Sequence, residues 1–475
     1  MQQGMTSRML RNLSKGYLAR YSRVPSSLIG GNGVYAIGSG IGSDSSMIAA
    51  NHRCTSYVAG MLSCSKLAHS SSGNQDSFTL GGRINQVQTR SFSERTEMDD
   101  EYGEMTNDGH TYVHPTPFVL ESGEKIEDAQ IRYMTYGTLN ETRDNVLVVC
   151  HALTGNASLH SWWGDLLGPG LAFDTDKYMI VSSNILGSCY GSTGPASKKI
   201  VNGVEKDVYG MSFPDVSVRD TVKLQLHMLR NDLDVRSVKC VIGGSFGGMQ
   251  AVEYAAQAGK IDSPFSVDDE DGRAAALVRS VMPIACGAAH TAWQIGISEV
   301  QRQAIRSDPK WNGGNPSWDD PPLDGLSLAR QIGMISYRTP QGYENKFGRN
   351  LQDGSPAYGS DAKWDVKSYL EYQGYKFLSR FDPITYIKLT EQMDTHDVGR
   401  KRGGKKEALS GVHIPCQVLG IDSDILYPLH EQEELANLFP NGELKIIKSD
   451  AGHDGFLLEQ EQVADYISSF LAAHD

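Results

Sequence analysis

The segment from residue 238 to residue 250 restricts the possible folds more than any other part of the chain. It reads Val-Lys-Cys-Val-Ile-Gly-Gly-Ser-Phe-Gly-Gly-Met-Gln, so a G-x-S-x-G pattern centred on Ser245 follows an apolar, strand-like run and begins a helix-like one. A turn this sharp leaves no space for side chains beside the serine, and glycines meet that requirement. The context therefore predicts a nucleophile elbow, with the Ser245 hydroxyl exposed at the start of a helix.

Strand-like and helix-like runs alternate on both sides of this motif. Residues 112–119 and 129–136 are predicted to form an opening antiparallel pair, and further strands are predicted at 145–150, 178–183, 238–243, 277–285, 416–421 and 444–447. Helices are predicted at 219–233, 246–257 and 459–473. Such alternation is typical of a mostly parallel sheet that helices cover on both faces. The predicted fold class is therefore α/β.

The chain divides into regions of different character. Residues 287–400 are helical in character and are interpreted as a cap or lid, inserted into a catalytic domain formed by 112–286 and 401–475. Residues 1–95 are interpreted as a targeting leader and a disordered arm, because they are rich in Ser and Gly and lack a sustained apolar period. Their first part, 1–43, contains no Asp or Glu but five Arg or Lys among apolar residues, which is typical of a mitochondrial presequence. A plastid or a cytoplasmic location, with a flexible tail that targets nothing, remains the alternative.

Composition argues against several classes of partner. The 475 residues carry a formal net charge of -13, which repels phosphate backbones, and no basic patch interrupts the body of the chain. No run approaches the roughly 20 apolar residues of a membrane span. The seven cysteines are scattered singly, without metal-ligand spacing. We therefore expect no nucleic acid, membrane or metal ion as a partner, and we expect reduced thiols in an intracellular compartment.

A serine nucleophile needs a base, and the base needs a carboxylate that orients it. The acid is expected after the elbow serine, and the strand predicted at 416–421 is followed by two candidates, Asp422 and Asp424. His453 then lies in a glycine-flanked loop shortly before the last helix, where the base is expected. The pattern itself leaves both acids open. Surface or packing roles are predicted for three other histidines, His396, His413 and His430.

Acyl transfer also needs N–H donors for the negative charge that develops on the carbonyl oxygen. Phe246, directly after the serine, can offer its backbone N–H, and the loop after the strand ending at Cys150 can offer that of Leu153. His151, in the same loop, is interpreted as a residue that shapes the loop. We therefore predict an oxyanion hole formed by Leu153 and Phe246.

From about residue 112 to the C-terminus, the chain resembles the homoserine O-acetyltransferase family of the α/β-hydrolase superfamily, which includes serine-specific and succinyl-specific relatives. The resemblance rests on motifs that are specific in combination. They are HALTG at 151–155, WW at 162–163, LGPG at 167–170, NILG at 184–187, YGSTGP at 190–195, GGSFGGMQ at 243–250, LAR at 328–330, YR at 337–338, FGR at 347–349, HDVGR at 396–400, SD at 423–424 and HDGF at 453–456.

The resemblance implies an α/β-hydrolase fold with a mostly parallel central sheet and an inserted helical cap. It implies transfer of an acetyl group from acetyl-CoA to the side-chain hydroxyl of L-homoserine through an acyl-serine, in methionine biosynthesis, with no permanently bound cofactor. Ser245 would be the nucleophile, His453 the base and Asp424, rather than Asp422, the acid. The alternatives are O-acetylation or O-succinylation of serine, in cysteine biosynthesis, and a plain serine esterase.

The resemblance also implies how the acceptor is held. Arg330 would bind its carboxylate, Asp454 would bind its ammonium group, and Tyr337 would line the same pocket. Two features depart from the family pattern near the acyl or acceptor pocket: Phe246 stands where Met is more usual, and the loop at 156–161 is shorter than in many bacterial members. The family resemblance further implies a homodimer formed through helices of the cap.

Overall fold

The computed structural model describes residues 109–268 and 272–474, so the leader and arm predicted at 1–95 lie outside the described residues. The described part is built on an eight-stranded sheet. Its strands are β1 His110–Val113, β2 Gln130–Tyr136, β3 Val146–Cys150, β4 Met179–Ser183, β5 Val238–Gly244, β6 Val281–Ile284, β7 Cys416–Ile421 and β8 Gly442–Ile447. They lie in the order β1-β2-β4-β3-β5-β6-β7-β8.

The sheet is antiparallel at one edge and parallel elsewhere. β1 pairs antiparallel with β2, and β2 with β4, whereas every later neighbour pair runs parallel. All residues of β3 and β7 are buried, as apolar strands must be when both faces of a sheet are covered. The predicted α/β class, with its antiparallel opening pair, is confirmed.

Helices follow most of these strands. They are α1 Val218–Asn231, α2 Phe246–Ala258, α3 Ala292–Arg306, α4 Leu323–Ser336, α5 Pro340–Phe347, α6 Asp365–Phe377, α7 Pro383–Asp394, α8 Lys405–Ser410, α9 Leu429–Leu438, α10 Gly455–Leu458 and α11 Gln460–Ala473. Local sequence explains several starts: Ser217 and Asp220 form a capping box at α1, and Asp382 caps α7 just before Pro383. No described helix is long and apolar enough to cross a membrane.

Two predicted strands are wrong in extent. The strand expected at 277–285 is shortened to β6, Val281–Ile284. The run at 112–119 was expected to be continuous, but β1 ends at Val113, and Phe118–Val119 pairs separately with Lys125–Ile126. Pro115 and Pro117 interrupt the run, and because proline has no N–H to donate, it cannot continue a ladder. Two further short pairs, Lys198–Val201 with Val204–Val208 and Val267–Asp268 with Ala274–Ala275, lie outside the main sheet.

Helices α3 to α7 all lie between β6 and β7 in the chain. Apolar side chains of α3, α4, α6 and α7 share one buried cluster, which includes Leu326, Phe377 and Tyr386. The same cluster takes in Leu153, from the loop after β3, and Phe246, from the start of α2. These helices therefore pack over the carboxyl ends of the central strands, where an α/β sheet places its reactive residues.

Candidate active site

Ser245 lies between β5 and α2 with φ 58° and ψ −118°, a conformation that residues with a side chain rarely adopt. The turn is possible because its neighbours lack side chains. A Cβ on Gly247 would lie 2.1 Å from the Cys150 carbonyl oxygen, and one on Gly243 would lie 2.4 Å from that of Gly247. The Ser245 N–H donates to the Ile284 carbonyl at 2.9 Å, which attaches the turn to β6. This is the geometry of a nucleophile elbow.

Three buried side chains form a continuous relay at this turn. His453 Nε2 lies 2.8 Å from Ser245 Oγ, and His453 Nδ1 lies 2.7 Å from Asp424 Oδ2. With the proton on Nδ1, the imidazole donates to Asp424 and accepts from the serine hydroxyl. Asp424 Oδ1 accepts the backbone N–H groups of Leu426 and Tyr427, each at 2.8 Å. The arrangement can activate a serine hydroxyl for attack on a carbonyl.

The second candidate acid lies elsewhere. Asp422 accepts the Ser449 N–H at 3.2 Å, and its other oxygen lies 3.2 Å from Lys448 Nζ. About a third of its side chain is exposed, whereas that of Asp424 is fully buried. Of the two acids that the sequence offered, Asp424 is therefore the one in contact with His453.

The surroundings of His453 act on its basicity in opposite directions. Burial lowers the pKa of the imidazole, but the Asp424 carboxylate raises it through its charge and its hydrogen bond, and the net pKa lies above the ordinary 6.5. The ring also packs between Tyr427 and Tyr337, at centroid distances of 5.2 and 6.0 Å. Asp424 thus stabilises the imidazolium that would form when the serine gives up its proton.

Ser245 and His453 open into a cavity of about 370 Å³. Its walls come from the loop after β3, from α4 and α6 of the inserted helices, and from the segment that carries His453. The lining residues are Ala152, Leu153, Thr154, Ser161, Trp162, Ser245, Arg330, Met334, Tyr337, Arg338, Tyr369, Gln373, Met393, Leu426, His453, Asp454, Phe456, Leu457 and Leu458. All the predicted substrate-binding residues therefore lie around the relay. Among the described residues, no cluster of His, Cys, Asp or Glu has the form of a metal site.

The predicted oxyanion donors lie beside the serine. Within the described part of the chain, neither the Leu153 N–H nor the Phe246 N–H donates to another protein group. Leu153 lines the cavity, but the Phe246 side chain is fully buried in the cluster beneath the inserted helices and does not line it. The Phe246 side chain therefore has no direct contact with the cavity, unlike the loop at 156–161, whose Ser161 borders it.

Sequence reasoning missed the residue that holds the oxyanion loop. Arg380, buried just before α7, donates from Nη1 to the Thr154 carbonyl at 2.6 Å and to the Tyr190 hydroxyl at 3.2 Å. Its guanidinium also lies 5.0 Å from the centre of the Phe377 ring. The inserted helices thus fix the backbone that carries Leu153.

Arg330 brings a buried cation to the cavity. Its side chain lies on α4, the residue is only 9% exposed, and the guanidinium carbon lies 4.9 Å from the centre of the Phe377 ring. No Asp or Glu oxygen of the described residues lies within salt-bridge distance of it. A buried guanidinium without a carboxylate partner can bind the carboxylate of a ligand.

Asp454, next to His453 in the chain, supplies a carboxylate whose side chain is 16% exposed. Burial raises the pKa of its carboxyl above the ordinary value, although the nearby charges of Arg338, His453 and Arg330 act to lower it. Arg338 Nε lies 2.8 Å from Asp454 Oδ2. Arg338 belongs to a motif that the sequence singled out, yet it was given no role there. The pair it forms with Asp454 is, with Arg380, a second part of this site that sequence reasoning missed.

Comparison with known proteins agrees with this geometry. A family model described as alpha/beta hydrolase fold matches residues 145–460. The chain is 44% identical over 365 residues to the homoserine O-acetyltransferase of Salinibacter ruber, a match that covers 76% of this chain and 97% of that protein. The described fold and the sequence therefore indicate the same group of proteins.

Solved structures share the fold. A homoserine O-acetyltransferase from Bacillus anthracis aligns with a TM-score of 0.66 at 23% identity, covering 76% of this chain and 97% of that one. An acetylester hydrolase from Corynebacterium glutamicum aligns with a TM-score of 0.63 at 25% identity, covering 77% of this chain and 96% of that one. The fold thus occurs with both transferase and hydrolase descriptions, so the architecture alone does not separate the two activities.

Proposed function

The chain belongs to the homoserine O-acetyltransferase family of α/β-hydrolase-fold enzymes, and from this we propose that it transfers an acetyl group from acetyl-CoA to the side-chain hydroxyl of L-homoserine. The observation that carries the proposal is the relay from Ser245 through His453 to Asp424, placed in a cavity that is also lined by the buried Arg330 guanidinium and the partly buried Asp454 carboxylate. The product would enter methionine synthesis.

In the first half-reaction, Ser245 Oγ attacks the thioester carbonyl of acetyl-CoA while His453 Nε2 takes the serine proton. The N–H groups of Leu153 and Phe246 stabilise the oxyanion of the tetrahedral intermediate. The intermediate collapses when the carbon–sulfur bond breaks, and the proton held by His453 goes to the departing thiolate. Free coenzyme A and acetyl-Ser245 result.

In the second half-reaction, His453 removes the proton from the homoserine hydroxyl, whose oxygen attacks the acetyl carbon. The same oxyanion donors act again, and the proton returns to Ser245 as its ester bond breaks. Arg330 binds the acceptor carboxylate and Asp454 its ammonium group, while Tyr337 lines the pocket beside His453. Two fixed charges of opposite sign suit a zwitterion, because they set both its position and its orientation.

Exclusion of water separates a transferase from an esterase on this fold. We assign that role to residues 287–400 as a cap, since they pack over the strand ends and share the buried cluster with Leu153 and Phe246. Plain ester hydrolysis is the main competing activity, and use of serine or of a succinyl donor is the nearest variant within the family.

The test is a panel of acyl donors and acceptors. We expect acetyl-CoA with L-homoserine to give the highest kcat/KM among the combinations of acetyl-CoA or succinyl-CoA with homoserine or serine. A higher kcat/KM with serine or with succinyl-CoA would reassign the substrate. Release of acetate at the same rate with and without any amino acid would make the chain an esterase.

We further propose a homodimer formed through the cap. Leu328 and Ile335 lie seven residues apart on α4, hence on one face, and both are about half exposed. Tyr372 and Tyr375 on the adjoining α6 are exposed as well. Burial of this apolar face against a second copy would remove it from water. Replacing both α4 residues by Glu should give a monomer in sedimentation, whereas Val204→Glu, on a hairpin away from the cap, should not.

We propose mitochondrial import for the leader, which lies outside the described residues. Support comes only from the sequence of residues 1–43, with its positive charge and its lack of acidic residues. A reporter carrying residues 1–60 should enter mitochondria. Accumulation of the reporter in plastids or in the cytosol would refute this location.

A further inference from the structure

A second cavity, of about 280 Å³, adjoins the catalytic one. It lies between α5, α6 and the segment that precedes His453. Its walls are formed by Arg338, Gly342, Tyr343, Asn345, Lys346, Phe347, Tyr369, Asp450, Ala451 and Glu459. Arg338 and Tyr369 line both cavities, so the two cavities are neighbours that share these side chains as part of their walls. We call it the outer cavity.

The outer cavity has an aromatic wall that carries a cation. The Phe347 ring lies 4.9 Å from that of Tyr369 and 5.5 Å from that of Tyr343. The Lys346 ammonium lies 4.5 Å from the centre of the Tyr369 ring and 5.3 Å from that of Phe347. Contact with ring faces holds the ammonium group at this wall while it remains open to solvent.

The charges around this wall leave Lys346 available for a ligand. Within the described ranges, its ammonium group forms no ion pair with a carboxylate. Arg338 already contacts Asp454. Two acidic residues lie in the wall. Glu459 accepts a hydrogen bond from the Ser449 hydroxyl at 2.8 Å, and the backbone carbonyl of Asp450 accepts one from the Thr339 hydroxyl.

The size and charge of the acyl donor require a site of this kind. The catalytic cavity, of about 370 Å³, must hold the acetyl group, the acceptor and the thioester end of the pantetheine arm, so we expect the nucleotide end of coenzyme A to lie beyond it. That end carries several phosphate charges, and a chain with a net charge of -13 repels them unless a cation lies nearby. Aromatic faces suit an adenine ring, and a lysine ammonium suits a phosphate.

We propose that the outer cavity binds the adenosine-phosphate end of the acyl-CoA donor, with Lys346 contacting a phosphate group and the neighbouring rings contacting the base. The inference rests on the proposed use of acetyl-CoA. It assigns Lys346 to donor binding and to no chemical step, so its effect is expected in the KM for the donor and not in kcat.

The experiment compares two donors and three variants in the full-length protein. S-acetylpantetheine carries the same thioester as acetyl-CoA but lacks the nucleotide. Lys346→Glu should raise the KM for acetyl-CoA by roughly tenfold, with kcat unchanged, because a charge that attracts phosphate becomes one that repels it. The kinetics with S-acetylpantetheine should not change. Lys346→Arg should stay within about twofold of the original protein, because it keeps the charge.

Lys206→Glu is the matched control, since it makes the same charge change on the exposed hairpin Val204–Val208, outside both cavities. It should leave the KM for both donors unaltered. Adenosine 3′,5′-bisphosphate should compete with acetyl-CoA in the original protein and should compete far more weakly in Lys346→Glu.

Two results would overturn the inference while the proposed function stands. One is an unchanged KM for acetyl-CoA in Lys346→Glu. The other is an equal loss with S-acetylpantetheine, which would show that the substitution disturbs the catalytic cavity. If neither thioester acetylates homoserine with the original protein, the proposed function fails and the inference fails with it.

Discussion

Ser245 holds the most strained backbone position of the site, because a positive φ of 58° places its Cβ against the neighbouring peptide group. Such a conformation costs about 1–3 kcal/mol and persists only where its surroundings enforce it. In this site the hydrogen bond from the Ser245 N–H to the Ile284 carbonyl holds the conformation, and glycines allow β5 and α2 to lie close to each other. The strain directs the hydroxyl at His453 and into the cavity.

The assignment of the acid makes a direct prediction. Asp424→Asn should lower kcat by about a thousandfold or more, because the triad acts as one unit and an amide can hold His453 in the wrong tautomer. Asp422→Asn is the matched control and should have little effect, since Asp422 contacts Ser449 and Lys448 instead. Steady-state kinetics of the two variants decide between the acids. A severe loss in Asp422→Asn with a mild one in Asp424→Asn would show that the assignment is wrong.

Arg330 should affect only one half of the reaction. In Arg330→Ala, the burst of free coenzyme A on mixing with acetyl-CoA should keep its rate, while turnover with homoserine falls steeply. Loss of a charge-assisted contact at a buried site costs about 2–5 kcal/mol, which is roughly 30-fold to several thousand-fold in rate. Rapid-mixing kinetics separate the two steps. If the burst disappears while the affinity for homoserine is unchanged, Arg330 acts on the donor instead.

The residues of the relay were predictable because each lies in a recognisable local context. Ser245 stands between a strand and a helix, and His453 stands in a glycine-flanked loop before the last helix. The choice of Asp424 over Asp422 came from family resemblance, since two acids that follow the same strand look alike in the sequence. The contact of Arg380 with Thr154 joins residues 226 positions apart, and no local pattern marks such a pair.

At the scale of secondary structure elements, the loop after β3 depends on the inserted helices. It carries Leu153, and its Thr154 carbonyl is held by Arg380, which lies between α6 and α7. A loop without regular hydrogen bonding keeps an N–H in position only when another group fixes it. We therefore predict that Arg380 is a positioning residue, which acts on the proposed oxyanion hole through the backbone.

Removal of this contact should weaken both half-reactions alike. Arg380→Ala should lower kcat by about 10-fold to 100-fold, because one misplaced oxyanion donor loses part of its transition-state stabilisation. Arg306→Ala, which removes an arginine paired with Glu391 at the surface of the cap, should leave kcat near its original value. The coenzyme A burst and the homoserine-dependent rate are both measured. If Arg380→Ala lowers the melting temperature but leaves the rates of both half-reactions unchanged at low temperature, the role of Arg380 is structural only.

The limits of several elements were predicted closely from the sequence. The strand expected at 416–421 is β7, with the same limits, and the helix expected at 246–257 differs from α2 by one residue. The run at 112–119 failed because its apolar alternation continues through two prolines, which end the hydrogen-bonded ladder. A pattern of apolar residues predicts which side chains are buried. Pairing of two strands also requires backbone N–H groups that can donate hydrogen bonds, and proline has none.

At the scale of the whole molecule, the fold, the relay and the two cavities all lie within residues 109–268 and 272–474. The boundaries proposed for the cap and for the catalytic domain remain predictions. The targeting role of the leader also remains a prediction, because it rests on the composition of residues 1–43 alone. The sequence could indicate the acceptor only through resemblance, since the charges that would bind it are separated by more than a hundred residues in the chain.

Truncation tests whether the leader and arm contribute to the catalytic unit. A protein that begins at residue 96 should fold with an unchanged melting temperature and retain kcat and KM for acetyl-CoA and homoserine, because residues 1–95 are rich in Ser and Gly and lack a sustained apolar period. Circular dichroism and steady-state kinetics report on the two properties. A fall in both stability and activity would mean that part of this segment belongs to the folded enzyme.

The central claim is that the acetyl group passes through Ser245 on its way to homoserine. Mass spectrometry of the intact protein, quenched after mixing with acetyl-CoA alone, tests it most directly. We expect one added acetyl group, located on the peptide that contains Ser245, absent in Ser245→Ala and discharged rapidly by homoserine but slowly by water. Turnover without any acetylated protein, or discharge by water as fast as by homoserine, would contradict it.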